Sequence, residues 1–411
     1  MIETQYNMKK KVLVVAPTYW PEGSGGTLAT HLIVEHLSQA GRFDLTVLTG
    51  TRNPEIVPGV SYIVDPFVKL VEKRFSIPRL VENRYGKLIE KHDVVYAVYA
   101  YTFIPVAKKF GKRVVVHLHD YRPISPSSVV LASQSENLTL SRLAIESFRV
   151  KYLERRDIKS LLLNVGEATR TPLIAKWVSE ADVVIAVSRR HAELLARALP
   201  PLRNKLVVVY NPPPPIPRIK REPAETPVFL YVGGESYLKG FYVLIEAIEM
   251  ALREGVRAKF IFAGKYSSRA RHVMSRINKV YGNVIHLTGR ILHTELLNLY
   301  KQAWALLFPS ISEEPLPYAV MEAVLTQTIP ISSKVGGVPE IMVSSKLREF
   351  MFEPGSSKVL YGRIAELSSL GNAFRQYMYD LTLHFETNVQ YLFYNFKSTR
   401  EVLEKVFIDY S

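Results

Sequence analysis

Residues 211–227, NPPPPIPRIKREPAETP, constrain this chain more than any other stretch. Proline fixes φ and carries no amide hydrogen, so a run this dense in it can be neither a helix interior nor a central strand. It reads as a linker between two parts built the same way. On either side, short apolar runs rich in valine alternate with amphipathic segments. Before the linker the runs are 11–16, 44–48, 94–98, 113–118, 183–187 and 206–209, with helical patterns such as 28–40 and 172–180 between them. After it come runs 228–232, 259–263, 284–287, 305–308 and 328–332, separated by helical patterns at 241–254, 269–281 and 294–302. This alternation is the sequence form of βα units around a parallel sheet. The expectation is an α/β chain of two doubly wound, Rossmann-like parallel-sheet domains, 1–210 and 228–375. Their carboxyl strand ends would face a central cleft, where open α/β sheets bind ligands. At 411 residues the chain is long enough for two cores. The tail, 376–411, reads as helical and is expected to pack back on the first domain.

Composition narrows the chemistry. There is no cysteine, which removes disulfides, thiolate metal sites and thiol catalysis together. No Asp-x-Asp pair occurs to hold a divalent cation against a diphosphate, so no metal site of that kind is expected. The net charge of +15 points to an anionic partner or surface. The basic residues are spread out and no nucleic-acid motif accompanies them, so nucleic acid is not the expected partner. The opening MIETQYNMKKKVLVVAP runs from a polar lead into a strand rather than through a signal peptide. The most apolar stretch, 94–107, is too short to cross a bilayer and is broken at Pro105. The expected compartment is the cytoplasm. Absent cysteine, scarce aspartate and abundant tyrosine, lysine and arginine also fit a thermophile.

Residues 310–323, SISEEPLPYAVMEA, place Glu314 and Glu322 eight apart across a prolyl turn into a helical pattern. A helix beginning near Pro315 would put both carboxylates on one face about 12 Å apart, a span that suits one extended polar ligand. A carboxylate in a first turn stabilises any helix. Glu322, however, stands among Tyr318, Ala319, Val320, Met321, Ala323 and Val324, and so apolar a setting calls for a partner. His117 and His119 end the run VVVHLHDYRP, with Asp120 beside them. Alternation puts both histidines on one face at a cleft-side strand end. Either could equally be a hydrogen-bonded core group, and a metal would need a third ligand that the sequence does not name. Lys239, in YVGGESYLKGF, lies between a strand and a helix, where a cation and the helix dipole would neutralise a diphosphate; a solvated loop lysine is the alternative. GSGGT at 23–27 follows the first strand, so its amides would face an anion, or its glycines simply turn the chain. Its spacing is not that of a dinucleotide site.

In order, the GG loop, the HD strand end, ADVVIAVS at 181–188, VVVYNP at 207–212, VGG with KG at 239–240, the Glu-x7-Glu segment and SKVGGVPE at 333–340 resemble the family 4 glycosyltransferases (glycosyl transferases group 1) of the GT-B fold. The resemblance covers nearly the whole chain and is strongest from 228 to 340. It implies a retaining, hexosyltransferase-type enzyme that moves a sugar from a nucleotide-diphosphate sugar without an essential metal or further cofactor. Glu322 would hold the ribose hydroxyls, Glu314 the donor sugar, Lys239 the diphosphate, and His119 the sugar. Gly25 and Gly26 would let the backbone approach the diphosphate, and Gly336 and Gly337 would admit the nucleotide. Gly234 belongs to the same implied set, although the family commonly has an arginine there. Lys239 then stands alone, or Arg290 or another cation substitutes. Where the family often has glycine between the carboxylates, this chain has Pro317, which removes an amide donor.

The implied acceptor is a glycan, a lipid-linked sugar or a small molecule, as in polysaccharide or glycolipid biosynthesis. Residues 69–92 hold seven Lys or Arg against three Glu, with apolar residues interleaved. The segment would rest on the anionic inner face of a membrane, or is a solvated helix face interrupted at Pro78. A nucleotide-sugar epimerase and a non-catalytic GT-B subunit of a glycosylation complex are the rival readings.

Overall fold

The structure, a computed structural model, describes residues 9–75, 77–155, 158–217 and 220–408. The polar lead, part of the linker and the last three residues of the tail lie outside the described residues. Valine-rich runs buried on both faces favour strands of a covered parallel sheet, and two such sheets form. The first contains β1 (Lys10–Ala16), β2 (Phe43–Thr49), β3 (Ser61–Val64), β4 (Val94–Val98), β5 (Arg113–Leu118), β6 (Val183–Ala186) and β7 (Leu206–Val208). Its order is β3-β2-β1-β4-β5-β6-β7. The second contains β8 (Val228–Val232), β9 (Lys259–Ala263), β10 (Ile285–Gly289), β11 (Ala305–Phe308), β12 (Ile329–Ser333) and β13 (Met351–Phe352), in the order β10-β9-β8-β11-β12-β13. Every pairing is parallel. The chain therefore has the two-sheet α/β architecture of a GT-B protein.

Both sheets reverse their winding direction once. In the first the reversal lies between β1 and β4, where Val12 pairs with Val94; in the second it lies between β8 and β11, where Phe229 pairs with Ala305. Loops leaving the carboxyl ends of these strands diverge and open a crevice. They are the loops that carry Gly25, Tyr99, Lys239 and Glu314.

Three local findings differ from the sequence reading. The helix after Glu314 spans Tyr318–Leu325, with Pro317 extended at its N-cap (φ −78°, ψ 118°). Glu314 therefore lies in the preceding loop, and the two carboxylates do not share a helical face. Pro78 does not interrupt a helix; it is the first residue of one, Pro78–Glu90, where its missing amide costs nothing. Pro172, read as a helix start, stands inside the helix Ile158–Glu180, which follows a further helix, Leu140–Arg155, absent from the sequence reading.

The last helix, Thr382–Ile408, belongs to both cores. Phe385 and Leu392 pack in the core of the second sheet, and Leu403, Val406 and Phe407 in that of the first. The Phe407 ring meets Tyr96 edge-on at 5.1 Å. Among the described residues no helix is long and apolar enough to cross a membrane.

Candidate active site

The loops from the two switch points enclose a cavity of about 430 Å³. Gly25, Gly26 and His119 line it from the first sheet, and Lys239, Glu314 and Glu322 from the second. These six expected residues thus converge, although more than 200 positions separate some of them in sequence.

The helix Gly25–Gln39 is the next element after β1, across the loop 17–24. Its glycines are required by close packing: a Cβ on Gly25 would lie 2.6 Å from the Tyr318 ring, and one on Gly26 would lie 2.7 Å from Tyr99 Oη. The amino end of this helix is thereby brought against the carboxylate segment of the other sheet. His119 follows β5 and stacks on His117 with ring centroids 4.2 Å apart. His117 is fully buried and bonds Tyr96 Oη through Nδ1 at 2.6 Å, so it is a core group. His119 faces the cavity, and neither ring nitrogen has a hydrogen-bond partner. Burial, reinforced by His191, pushes its pKa down to about 3. It is a neutral imidazole at physiological pH, able to donate through one nitrogen and accept through the other.

Lys239 immediately precedes the helix Phe241–Arg253, whose N-cap Gly240 is left-handed (φ 73°). Its Nζ donates to Glu314 Oε1 at 2.7 Å. Ser310 Oγ and Ser312 Oγ each donate to the same oxygen at 3.2 Å. The carboxylate is fixed through one oxygen, and Lys239 keeps further donors for an anion. Glu322, buried on its helix, finds the partner its apolar setting demands in His293 Nε2, at 3.0 Å. That bond raises the His293 pKa against the opposing effect of burial.

Gly234, Gly336 and Gly337 are not among the residues lining the cavity. Gly234 is left-handed (φ 64°) and faces the Lys265 backbone. Gly336 (φ 49°) and Gly337 admit the backbone of Glu314 and Pro315: a Cβ on Gly336 would sit 1.7 Å from Glu314 O, and Gly337 N donates to that oxygen at 2.9 Å. Their contacts are with the loop that carries Glu314 rather than with the cavity. Arg290 is exposed and does not line the cavity.

Sequence reasoning missed several participants. Tyr99, at φ 57° just past β4, stands against His119 with ring centroids 5.8 Å apart. A strained non-glycine residue at a switch-point strand end is a mark of a functional site. Asn211, the first linker residue, also lines the cavity and leaves a buried Oδ1 without a partner. Glu313 was hidden by its neighbour: it is buried, and it accepts from Arg190 Nη2 at 2.9 Å and from Gly336 N. Glu340 accepts from the amides of Arg189 and Arg190 at 3.0 Å each, fastening a first-sheet helix to the second sheet.

Known proteins resemble this chain in sequence family and in fold. Residues 23–213 match the model described as Glycosyltransferase Family 4, and residues 214–380 match Glycosyl transferases group 1. A glycogen synthase of Thermodesulfovibrio yellowstonii is 26% identical over 148 residues, which is 36% of this chain and 29% of that protein. HepE of Anabaena, solved with UDP and glucose, superposes with a TM-score of 0.61 at 17% identity, covering 96% of this chain and 100% of that one. The starch synthase IV catalytic domain of Arabidopsis thaliana, bound to ADP and acarbose, gives 0.64 at 14% identity, covering 97% and 99%. The two family matches together span residues 23–380, and the chain belongs to the family 4 (group 1) glycosyltransferases of the GT-B fold.

Proposed function

We propose that this protein transfers a sugar, with retention of configuration, from a nucleotide-diphosphate sugar held mainly on the second sheet to a glycan or lipid-linked acceptor held mainly on the first. The observation that carries the reading is the set of unpartnered buried polar atoms, both nitrogens of His119 and Asn211 Oδ1, in one cavity with a lysine and two carboxylates. Buried polar groups without partners call for a ligand or ordered water. A nucleotide-diphosphate sugar brings the hydroxyls and the phosphate charge that such a lining can hold. Glu322 would accept from the ribose hydroxyls while His293 holds its other side, and Lys239 with the amino end of Phe241–Arg253 would receive the diphosphate. Glu314 and His119 would hold the sugar hydroxyls.

In this scheme the barrier falls because the departing diphosphate meets fixed positive charge and the acceptor hydroxyl is held in place. The leaving phosphate takes the acceptor proton, and no protein nucleophile or metal takes part. HepE and starch synthase IV are solved with UDP and ADP respectively, which suggests those bases for the first trials. Residues 69–92 remain the candidate membrane contact by charge alone, since Val81, Tyr85 and Ile89 turn inward to the core.

The test is thermal stabilisation by UDP, GDP and ADP and by their sugar conjugates, with and without EDTA. Ligand at 100 times its dissociation constant adds about 2.7 kcal/mol to the folded state. A shift with one base, insensitive to EDTA and lost in Glu322→Ala, is expected. No shift with any of them overturns the donor site. Formation of a new glycosidic bond alongside free nucleotide separates transfer from epimerisation.

A further inference from the structure

Lys239 and Glu314, the ion pair at the diphosphate end of the cavity, both belong to the second sheet. The residues just before each are held by a single stretch of the first. Between β5 and β6 the chain leaves the first sheet, and two of its described segments hydrogen-bond to the second. At residues 130–132 it lies antiparallel beside residues 311–313: Glu313 N donates to Val130 O at 2.8 Å, and Ala132 N to Ile311 O at 3.0 Å. Further on, the helix Leu140–Arg155 presents Glu154, whose Oε1 accepts from Leu238 N and from Ser236 Oγ at 2.8 Å each. Ser236 Oγ in turn accepts from Lys239 N at 3.2 Å, and Leu238 O accepts from Ile311 N at 3.0 Å. One contact ends next to Glu314 and the other next to Lys239.

One oxygen of Glu154 gathers one backbone amide and one hydroxyl of a loop in the other half of the molecule.

We propose that Glu154 is a positioning residue for the diphosphate site. It fixes the Ser236–Lys239 loop in the conformation that aims the lysine at a phosphate, so that binding of the donor diphosphate depends on a side chain of the acceptor half. The proposal rests on the donor-site reading above. It follows that a nucleoside diphosphate engages the contact, whereas a nucleoside monophosphate, anchored through its ribose at Glu322, does not.

Two measurements on the full chain test it, with Glu154→Ala and Glu154→Gln as variants. The first is binding of UDP, GDP and ADP against UMP, GMP and AMP. Glu154→Ala weakens the diphosphate about tenfold, the scale for removing one partner of a hydrogen bond that leaves a donor unpaired, and changes the monophosphate less than about twofold. Glu154→Gln keeps an acceptor oxygen and stays within about threefold of the parent. Equal weakening of both nucleotides, or of neither, overturns the proposal.

The second measurement is amide hydrogen exchange at Leu238 and Lys239 without ligand. Exchange accelerates in Glu154→Ala and is retained near the parent rate in Glu154→Gln. Unchanged exchange in Glu154→Ala overturns the contact whatever the nucleotide result. If the parent protein binds neither nucleotide while exchange behaves as expected, the contact stands and the donor reading is what falls.

Discussion

Glu322 and His293 show how a single buried carboxylate is made tolerable. Glu322 is 7% exposed, and in so apolar a helix its charge would be costly without the imidazole 3.0 Å away. The same bond lifts the His293 pKa above its ordinary value, whereas burial alone would lower it. Titration of His293 by NMR should therefore show a raised pKa that falls below the ordinary histidine value in Glu322→Gln; an unchanged pKa would mean that Glu322 is not the cause. The sign for stability follows directly. The protonated pair contributes fully below the unfolded pKa of about 6.5 and is lost as pH rises through the raised folded value. His119 behaves oppositely, since its folded pKa is depressed and its neutral form is the native one. The need for a partner at Glu322 was legible in its apolar neighbours. The partner was not, because it lies 29 positions upstream on a different helix and meets Glu322 only through the fold.

At the scale of elements, the strands were legible wherever valine and isoleucine made a continuous buried run. β3 and β13 escaped because they are edge strands of four and two residues, and β3 is largely exposed, so neither leaves an apolar run to read. The carboxylate helix was placed correctly but begun too early, since Pro317 holds its own backbone extended and delays the first turn to Tyr318. The roles of the glycines were only half legible. That Gly336 matters follows from its motif; that it matters through the Glu314 backbone follows only from the contact. Gly336→Ala combines a left-handed φ of 49° with a Cβ placed 1.7 Å from Glu314 O. Gly111 is also left-handed (φ 66°), but a Cβ there meets nothing within 4 Å. Gly111→Ala should cost only the backbone strain, about 1–3 kcal/mol. Gly336→Ala should cost more and, by shifting Glu314, abolish nucleotide-dependent stabilisation. Thermal melts of the two variants with and without nucleoside diphosphate check this; equal costs with binding retained in both would show that the loop accommodates the methyl group.

The molecule as a whole is held together by contacts between residues far apart in sequence. The helix Thr382–Ile408 has 27 residues, about 40 Å of rigid rod, and it enters one core near Phe385 and the other near Phe407. Phe407 is fully buried against Phe43 and Tyr96, although 311 positions separate it from Tyr96. Phe407→Ala should cost about 3–5 kcal/mol, as a large aromatic deleted from a core does, and denaturant unfolding measures it. A loss confined to the first-sheet half, seen as two separated transitions, would show that the halves unfold independently. A single shifted transition would show that the helix couples them.

The polypeptide thus passes between its two halves twice, once through the proline-rich segment after Tyr210 and again along the closing helix. A body joined to another at one point can swivel in any direction; joined at two, it turns only about the line through both. Two such connections restrict how the halves can move against each other more than one would. The hydrogen bonds at Glu154, Val130, Glu313 and Glu340 are further ties between the same two halves, so the groove between them is closed by side chains and amides as well as by the backbone's own two passages.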